Sequence, residues 1–187
     1  MRKTLCVAVF LLGVLAVSAH AEPFFAQRVL QGVTFQVESP NDSSINQVTV
    51  RSETSEGSFG QLEAEADVTI TNVEVEDLDA NGYPEIYFYV NSAGSGSYGS
   101  LIAYASNRNR SLSEIYLPSL EDDPEVSRGY MGHDEFAVGE GALLRRFPVY
   151  REGDSNAQPS GGSRQIQYKQ EAGEAGWVLR RDRVIEY

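Results

Sequence analysis

The chain has 187 residues, with 15 Lys plus Arg against 27 Asp plus Glu, a formal net charge of −12. That balance argues against a nucleic-acid or anionic-membrane partner, because either would need a basic face. A hydrophobic fraction of 41% with 10% aromatic residues suffices for a packed core. The one cysteine excludes an intrachain disulfide and a cysteine-built metal site.

In chain order, Arg2 and Lys3 precede an almost unbroken apolar run from Cys6 to Val17, closed by Ser18-Ala19-His20-Ala21. This is the pattern of a cleaved secretory signal peptide over residues 1–21, and the run is too short to span a bilayer. The mature chain is expected to begin at Glu22. Cleavage removes Arg2 and Lys3 but no acid, which takes the net charge from −12 to −14. It also removes Cys6 and His20, leaving no cysteine and one histidine, His133. Residues 22–187 are then expected to form a single exported domain, stabilised by core burial alone.

Val29, Val33, Phe35 and Val37 share one phase against Thr34, Gln36 and Glu38, which predicts a half-buried strand. Pro40 to Ser44 reads as a turn. Val48 and Val50 mark a second strand, and Ser52 to Gly60 reads as a small-polar loop. Val68 and Ile70 lie on one phase and Val73 and Val75 on the other; a one-residue slip of this kind predicts a β-bulge.

Ile86-Tyr87-Phe88-Tyr89-Val90 is apolar or aromatic on both faces, so it reads as a central strand. Leu101 to Tyr104 and Glu114 to Leu117 are further strands. Leu120 to Ser127 is one helical turn opened by Pro124. Phe136 to Val138 and Ala142 to Tyr150 form a hairpin around Gly139-Glu140-Gly141. Ile166 to Lys169, Trp177 to Leu179 and Arg183 to Ile185 close the chain. The pattern predicts an all-β fold, an antiparallel β-sandwich.

Catalytic motifs are scarce. No Cys nucleophile survives cleavage, and a serine triad would need His133, which lies in the Gly-rich stretch Gly129-Tyr130-Met131-Gly132-His133-Asp134-Glu135 with no G-x-S-x-G turn elsewhere. Asp77-Leu78-Asp79-Ala80-Asn81-Gly82-Tyr83-Pro84-Glu85 opens like a calcium loop, with side-chain oxygens at Asp77, Asp79 and Asn81 followed by a glycine. Its twelfth position is Phe88 and strands flank it, so an ordinary Asx turn without metal is the favoured reading. A calcium-dependent binding module centred on Asp77, Asp79 and Asn81 is the alternative function, and no other cofactor is expected.

Ser92-Ala93-Gly94-Ser95-Gly96-Ser97-Tyr98-Gly99-Ser100 separates two of the most hydrophobic strands. It has no lysine or following helix for phosphate. Tyrosine with serine and glycine is the composition of a recognition loop, giving contact area at low rotamer entropy. At this loop the chain resembles the periplasmic inhibitors of I-type (invertebrate) lysozyme. The resemblance runs through Asp77–Glu85, Ser95–Ser100, Ser111-Leu112-Ser113-Glu114-Ile115-Tyr116, Gly129–Asp134 and Arg145-Arg146-Phe147-Pro148. It implies a sandwich of about eight antiparallel strands, no enzyme activity, a periplasmic location and an I-type lysozyme as partner. It also implies that a loop of Ser95, Gly96, Ser97 and Tyr98 enters the lysozyme groove, with Ser95 and Tyr98 as the contacting side chains. Self-association into a homodimer stays open.

Overall fold

The computed structural model describes residues 22–67, 69–92, 96–174 and 176–187. The expected signal peptide (1–21), Val68 of the third expected strand, and Ser95 of the expected recognition loop lie outside the described residues.

Among the described residues there are twelve strands in two sheets. β1 (Phe24–Leu30), β2 (Val33–Ser39), β3 (Ile45–Thr54) and β4 (Gly57–Asp67) form a four-stranded antiparallel sheet in chain order. β5 (Thr69–Glu76), β6 (Glu85–Asn91), β7 (Gly99–Ser106), β8 (Leu112–Tyr116), β9 (Glu135–Gly139), β10 (Ala142–Pro148), β11 (Ser163–Ala172) and β12 (Trp177–Glu186) form an eight-stranded sheet in the order β5-β6-β7-β8-β12-β11-β10-β9. One join is parallel, β8 to β12, pairing Ile115 with Trp177 and Tyr116 with Val178. The sheet curls until its two edges meet, where the Glu74 carboxylate on β5 accepts the Val138 amide of β9 at 3.0 Å. It is an almost closed barrel. A 3₁₀ turn at Leu120–Asp122 and one helical turn, α1 (Pro124–Ser127), lie where the sequence predicts a helical turn.

The all-β sandwich expectation holds, with twelve strands among the described residues where about eight were expected. Part of the difference arises in the N-terminal region, where alternation alone runs straight through a reversal. Val29 to Val37 reads as one strand, yet the chain turns at Gln31-Gly32, with φ of 50° and 78°. Two successive left-handed residues make the tight turn that suits the strand twist of a hairpin. Ser52 to Gly60 reads as a loop because its residues are small and polar. It is instead the end of β3 and the start of β4, with Ser52 opposite Gly60 and Thr54 opposite Gly57. Trp177–Leu179 and Arg183–Ile185 are parts of one strand, β12.

Two cores result, and β6 is the wall between them. Ile86, Phe88 and Val90 point to one side, where they pack with Val33, Phe35, Val37, Val48 and Val50 of the four-stranded sheet. Tyr87 and Tyr89 point to the other side, into the curled sheet, with Leu143, Phe147, Ile166 and Leu179. Such two-sided burial is why the strand carries no polar face. The predicted bulge is present: the β5–β6 register shifts between Ile70 and Asn72. The extra residue brings Ile70 and Val73, three apart, into the same core.

Candidate functional site

The loop between β6 and β7 is built from the ladder outward. Asn91 and Gly99 are the last paired residues. Beyond them the Ser92 amide donates to the Tyr98 carbonyl at 2.9 Å, and the Tyr98 amide donates to Ser92 Oγ at 2.9 Å. The Ser92 side chain thus replaces a missing ladder partner. Ser97 has φ of 41°, which turns the chain back toward β7. Tyr98 then folds its ring over Gly96: a Cβ at Gly96 would stand 2.5 Å from Tyr98 Cε2. The glycine of the Ser-Gly-Ser-Tyr motif is therefore the space the tyrosine ring occupies. Tyr98 remains 49% exposed, so about half of the residue faces solvent beside this packing.

A second segment, Tyr130 to Asp134, lies against this loop. The His133 amide donates to the Gly96 carbonyl at 2.8 Å and the Ser97 carbonyl at 3.1 Å. The Gly99 amide donates to Asp134 Oδ2 at 2.8 Å. The Tyr130 ring meets Tyr98 edge-on, with centroids 5.7 Å apart, and Phe147 on its other side at 4.8 Å.

Behind these contacts is a charged network. Arg145 Nε donates to Asp134 Oδ1 at 2.7 Å, and the Tyr130 hydroxyl donates to Asp134 Oδ2 at 2.5 Å. Arg145 Nη2 donates to the Tyr130 oxygen at 2.9 Å. The Arg145 guanidinium also sits 5.1 Å from the Tyr130 ring and 5.3 Å from that of Phe136. Burial opposes the charge on Arg145, but the Asp134 carboxylate beside it holds the guanidinium above its ordinary range. Burial, and then the bond to Asp134, push the Tyr130 hydroxyl up as well. Next to Tyr98 runs a groove of about 280 Å³, floored by Leu101, Leu117, Leu120 and Tyr130 with Arg145 at its base.

Of the residues expected to bind a partner, Gly96, Ser97 and Tyr98 lie on this turn, the first two half-buried and Tyr98 exposed. His133 holds the loop through its backbone amide, from a left-handed conformation with φ of 60°. The supporting residues Tyr130, Asp134 and Arg145 carry no role in a reading of the sequence, although all three fall inside the matching motifs. Of the three, only Arg145 carries a signal, as a charge on the apolar stretch from Ala142 to Tyr150; Tyr130 and Asp134 lie in the Gly-rich stretch and carry none.

The Asp77 loop closes as an Asx turn. Asp77 Oδ1 accepts the Asn81 amide at 2.9 Å and its Oδ2 the Gly82 amide at 2.9 Å, while Asn81 Oδ1 accepts the Tyr83 amide at 2.7 Å. Asn81 turns its amide nitrogen to Asp79 Oδ2 at 2.8 Å, so its oxygen serves the turn. The loop's ninth residue, Glu85, is fully buried at the start of β6. It accepts the Leu78 amide at 2.8 Å and Gln170 Nε2 at 3.2 Å. Asp77, Asp79 and Glu85 each place a carboxylate oxygen within 4.8 Å of the others.

No protein-family model and no curated protein matches the chain. Among solved structures, the chain is similar to a periplasmic inhibitor of I-type lysozyme. That structure is PliI-Ah from Aeromonas hydrophila, 27% identical, with a TM-score of 0.43, over 49% of this chain and 84% of that one. A. hydrophila PliI in complex with Meretrix lusoria lysozyme is likewise similar, 27% identical, with a TM-score of 0.42, over 49% of this chain and 80% of that one.

Proposed function

We propose that this protein is a periplasmic inhibitor of I-type lysozyme that blocks the enzyme's groove with the loop from Ser95 to Tyr98. The observation that supports the reading is a half-exposed tyrosine whose neighbours Gly96, Ser97 and Gly99 are hydrogen-bonded to the His133–Asp134 segment. Such a loop offers a large amphipathic surface with little entropy left to lose on binding. Tyr98 fills a sugar subsite, and Ser95 hydrogen-bonds one of the two carboxyl groups that a glycosidase of this kind uses. No glycosidic bond is offered, so the enzyme is occupied and not turned over. The groove beside Tyr98 receives a protruding segment of the lysozyme. The chain itself is not an enzyme, and residues 1–21 direct its export.

The test is lysis of lysozyme-sensitive cells by I-, C- and G-type lysozymes, each with and without the protein. Inhibition confined to the I-type enzyme is expected. Replacing Ser95 and Tyr98 together by alanine should weaken it at least about a hundredfold, as loss of a central aromatic anchor does. Inhibition within a few fold of the wild type would sink the loop assignment.

Calcium binding at the Asp77 loop is a second reading, favoured by the convergence of three carboxylates with no salt bridge to any of them among the described residues. Against it, the turn's amides already satisfy both Asp77 oxygens. A melting temperature raised several degrees by millimolar calcium and lowered again by EDTA would establish it; no shift would discard it.

A further inference from the structure

Resting on the inhibitor reading, we propose that Asp134 is the positioning residue for the Gly96–Tyr98 loop and that Gly132 supplies the close approach the positioning needs. The Asp134 side chain is 0% exposed and that of Arg145 7%. Asp134 therefore touches no partner, and any effect on binding passes through the loop.

The argument starts from composition. A segment rich in serine and glycine has no preferred pose of its own, and ordering it on binding would subtract from affinity. Here the order is built in beforehand, from one neighbouring segment. Asp134 Oδ2 takes the Gly99 amide, which fixes where β7 begins. The next residue back, His133, takes both loop carbonyls, Gly96 and Ser97. Tyr130 sets its ring against Tyr98. These contacts require the two backbones to be nearly in touch. A Cβ at Gly132 would lie 2.0 Å from the Gly96 carbonyl oxygen, and Gly132 has φ of 90°, so an alanine there must push the loop away.

The support is itself held rigid. The Asp134 carboxylate receives three hydrogen bonds, from the Gly99 amide, the Tyr130 hydroxyl and Arg145 Nε. A charge-assisted pair in a buried setting has one good geometry and few alternatives. One carboxylate thus sets both the loop's backbone, through Gly99, and its aromatic face, through Tyr130.

A double-mutant cycle on the full chain tests this, with Asp134→Asn, Gly132→Ala and Tyr98→Ala made singly and in pairs. The readouts are the inhibition constant toward an I-type lysozyme and amide exchange at Gly99 and His133 without the enzyme. Asp134→Asn and Gly132→Ala are each expected to weaken inhibition about tenfold and to speed loop amide exchange. In the Tyr98→Ala background each should change inhibition less than about twofold, because the side chain they position is gone. A merely structural role would weaken both backgrounds equally, and that result overturns the proposal. So does inhibition unchanged by either substitution where Tyr98→Ala alone is strongly defective; the inhibitor reading would then stand. If Tyr98→Ala leaves inhibition intact, the loop reading itself fails, and the positioning proposal with it. Asp134→Asn leaves Arg145 unpaired in the interior; should that variant fail to fold, Gly132→Ala, on the connecting turn, carries the test.

Discussion

Glu85→Gln should remove one component of the pH dependence of stability, the one that Glu85 itself contributes. Glu85 is fully buried at the start of β6. Burial pushes its carboxyl from the usual 4.5 up to about 8, against the pull of the Leu78 amide and with added repulsion from Asp79 and Asp77. The unfolded chain releases this proton near pH 4.5, and the folded chain keeps it until about pH 8. Between those values the native state binds the extra proton, so the group costs stability as pH rises through the window. At about 1.4 kcal/mol per pH unit, the full span amounts to roughly 5 kcal/mol. Water entry and side-chain relaxation at a carboxyl this close to the Asp77 loop reduce it, and about 2 kcal/mol is the working threshold.

Glutamine keeps an oxygen for the Leu78 amide and cannot ionise. The assay is urea unfolding of both proteins in EDTA between pH 5 and 8.5, read as the difference between them so that other titrations cancel. The variant is expected to gain at least about 2 kcal/mol on the wild type across that range. Two parallel stability curves would show that Glu85 titrates normally and that the burial argument is wrong.

Phe88→Ala should cost about 3–5 kcal/mol in urea unfolding, since it opens a cavity at the centre of the core shared with the four-stranded sheet. Arg145→Met should cost about 3–5 kcal/mol, because it leaves the buried Asp134 carboxylate without its partner. A smaller loss would mean that the pair relaxes toward water. Association with a cationic lysozyme should slow at least about tenfold between 20 mM and 500 mM salt in stopped-flow mixing, because the −14 surface expected after cleavage steers encounter mainly at low ionic strength. A salt-independent on-rate would remove steering from the account.

The sequence carries most of the larger sheet. Two-sided apolar content marks β6, and the phase slip marks the β5 bulge. Gly139-Glu140-Gly141 marks the β9–β10 hairpin. What it hides are reversals made of residues without a strong turn signature, such as Gln31-Gly32, and strand ends made of small polar residues, such as Ser52 to Gly60. Alternation reports which side a residue faces, not where the chain doubles back. The loop from Ser92 to Ser100 is legible because its composition is extreme. Its fastening is not, because Asp134 and Arg145 meet the loop only after β9 and β10 have folded beside it. Glu85 is hidden for a similar reason: as the ninth residue of an acidic turn it reads as another solvated carboxylate, and only pairing with β5 and β7 takes it inside.

The placement of β6 between two cores has a mechanical consequence for the loop it launches. Neither core can loosen without exposing a face of this strand, so the two sheets should melt as one cooperative unit. Amides from Tyr87 to Tyr89 should exchange with solvent only through global opening and rank among the slowest in the molecule. On the proposed reading, a partner that grips Tyr98 pulls on β7, which is paired with β6 from Gly99 to Ala105, so the load passes into the part of the fold least inclined to unfold.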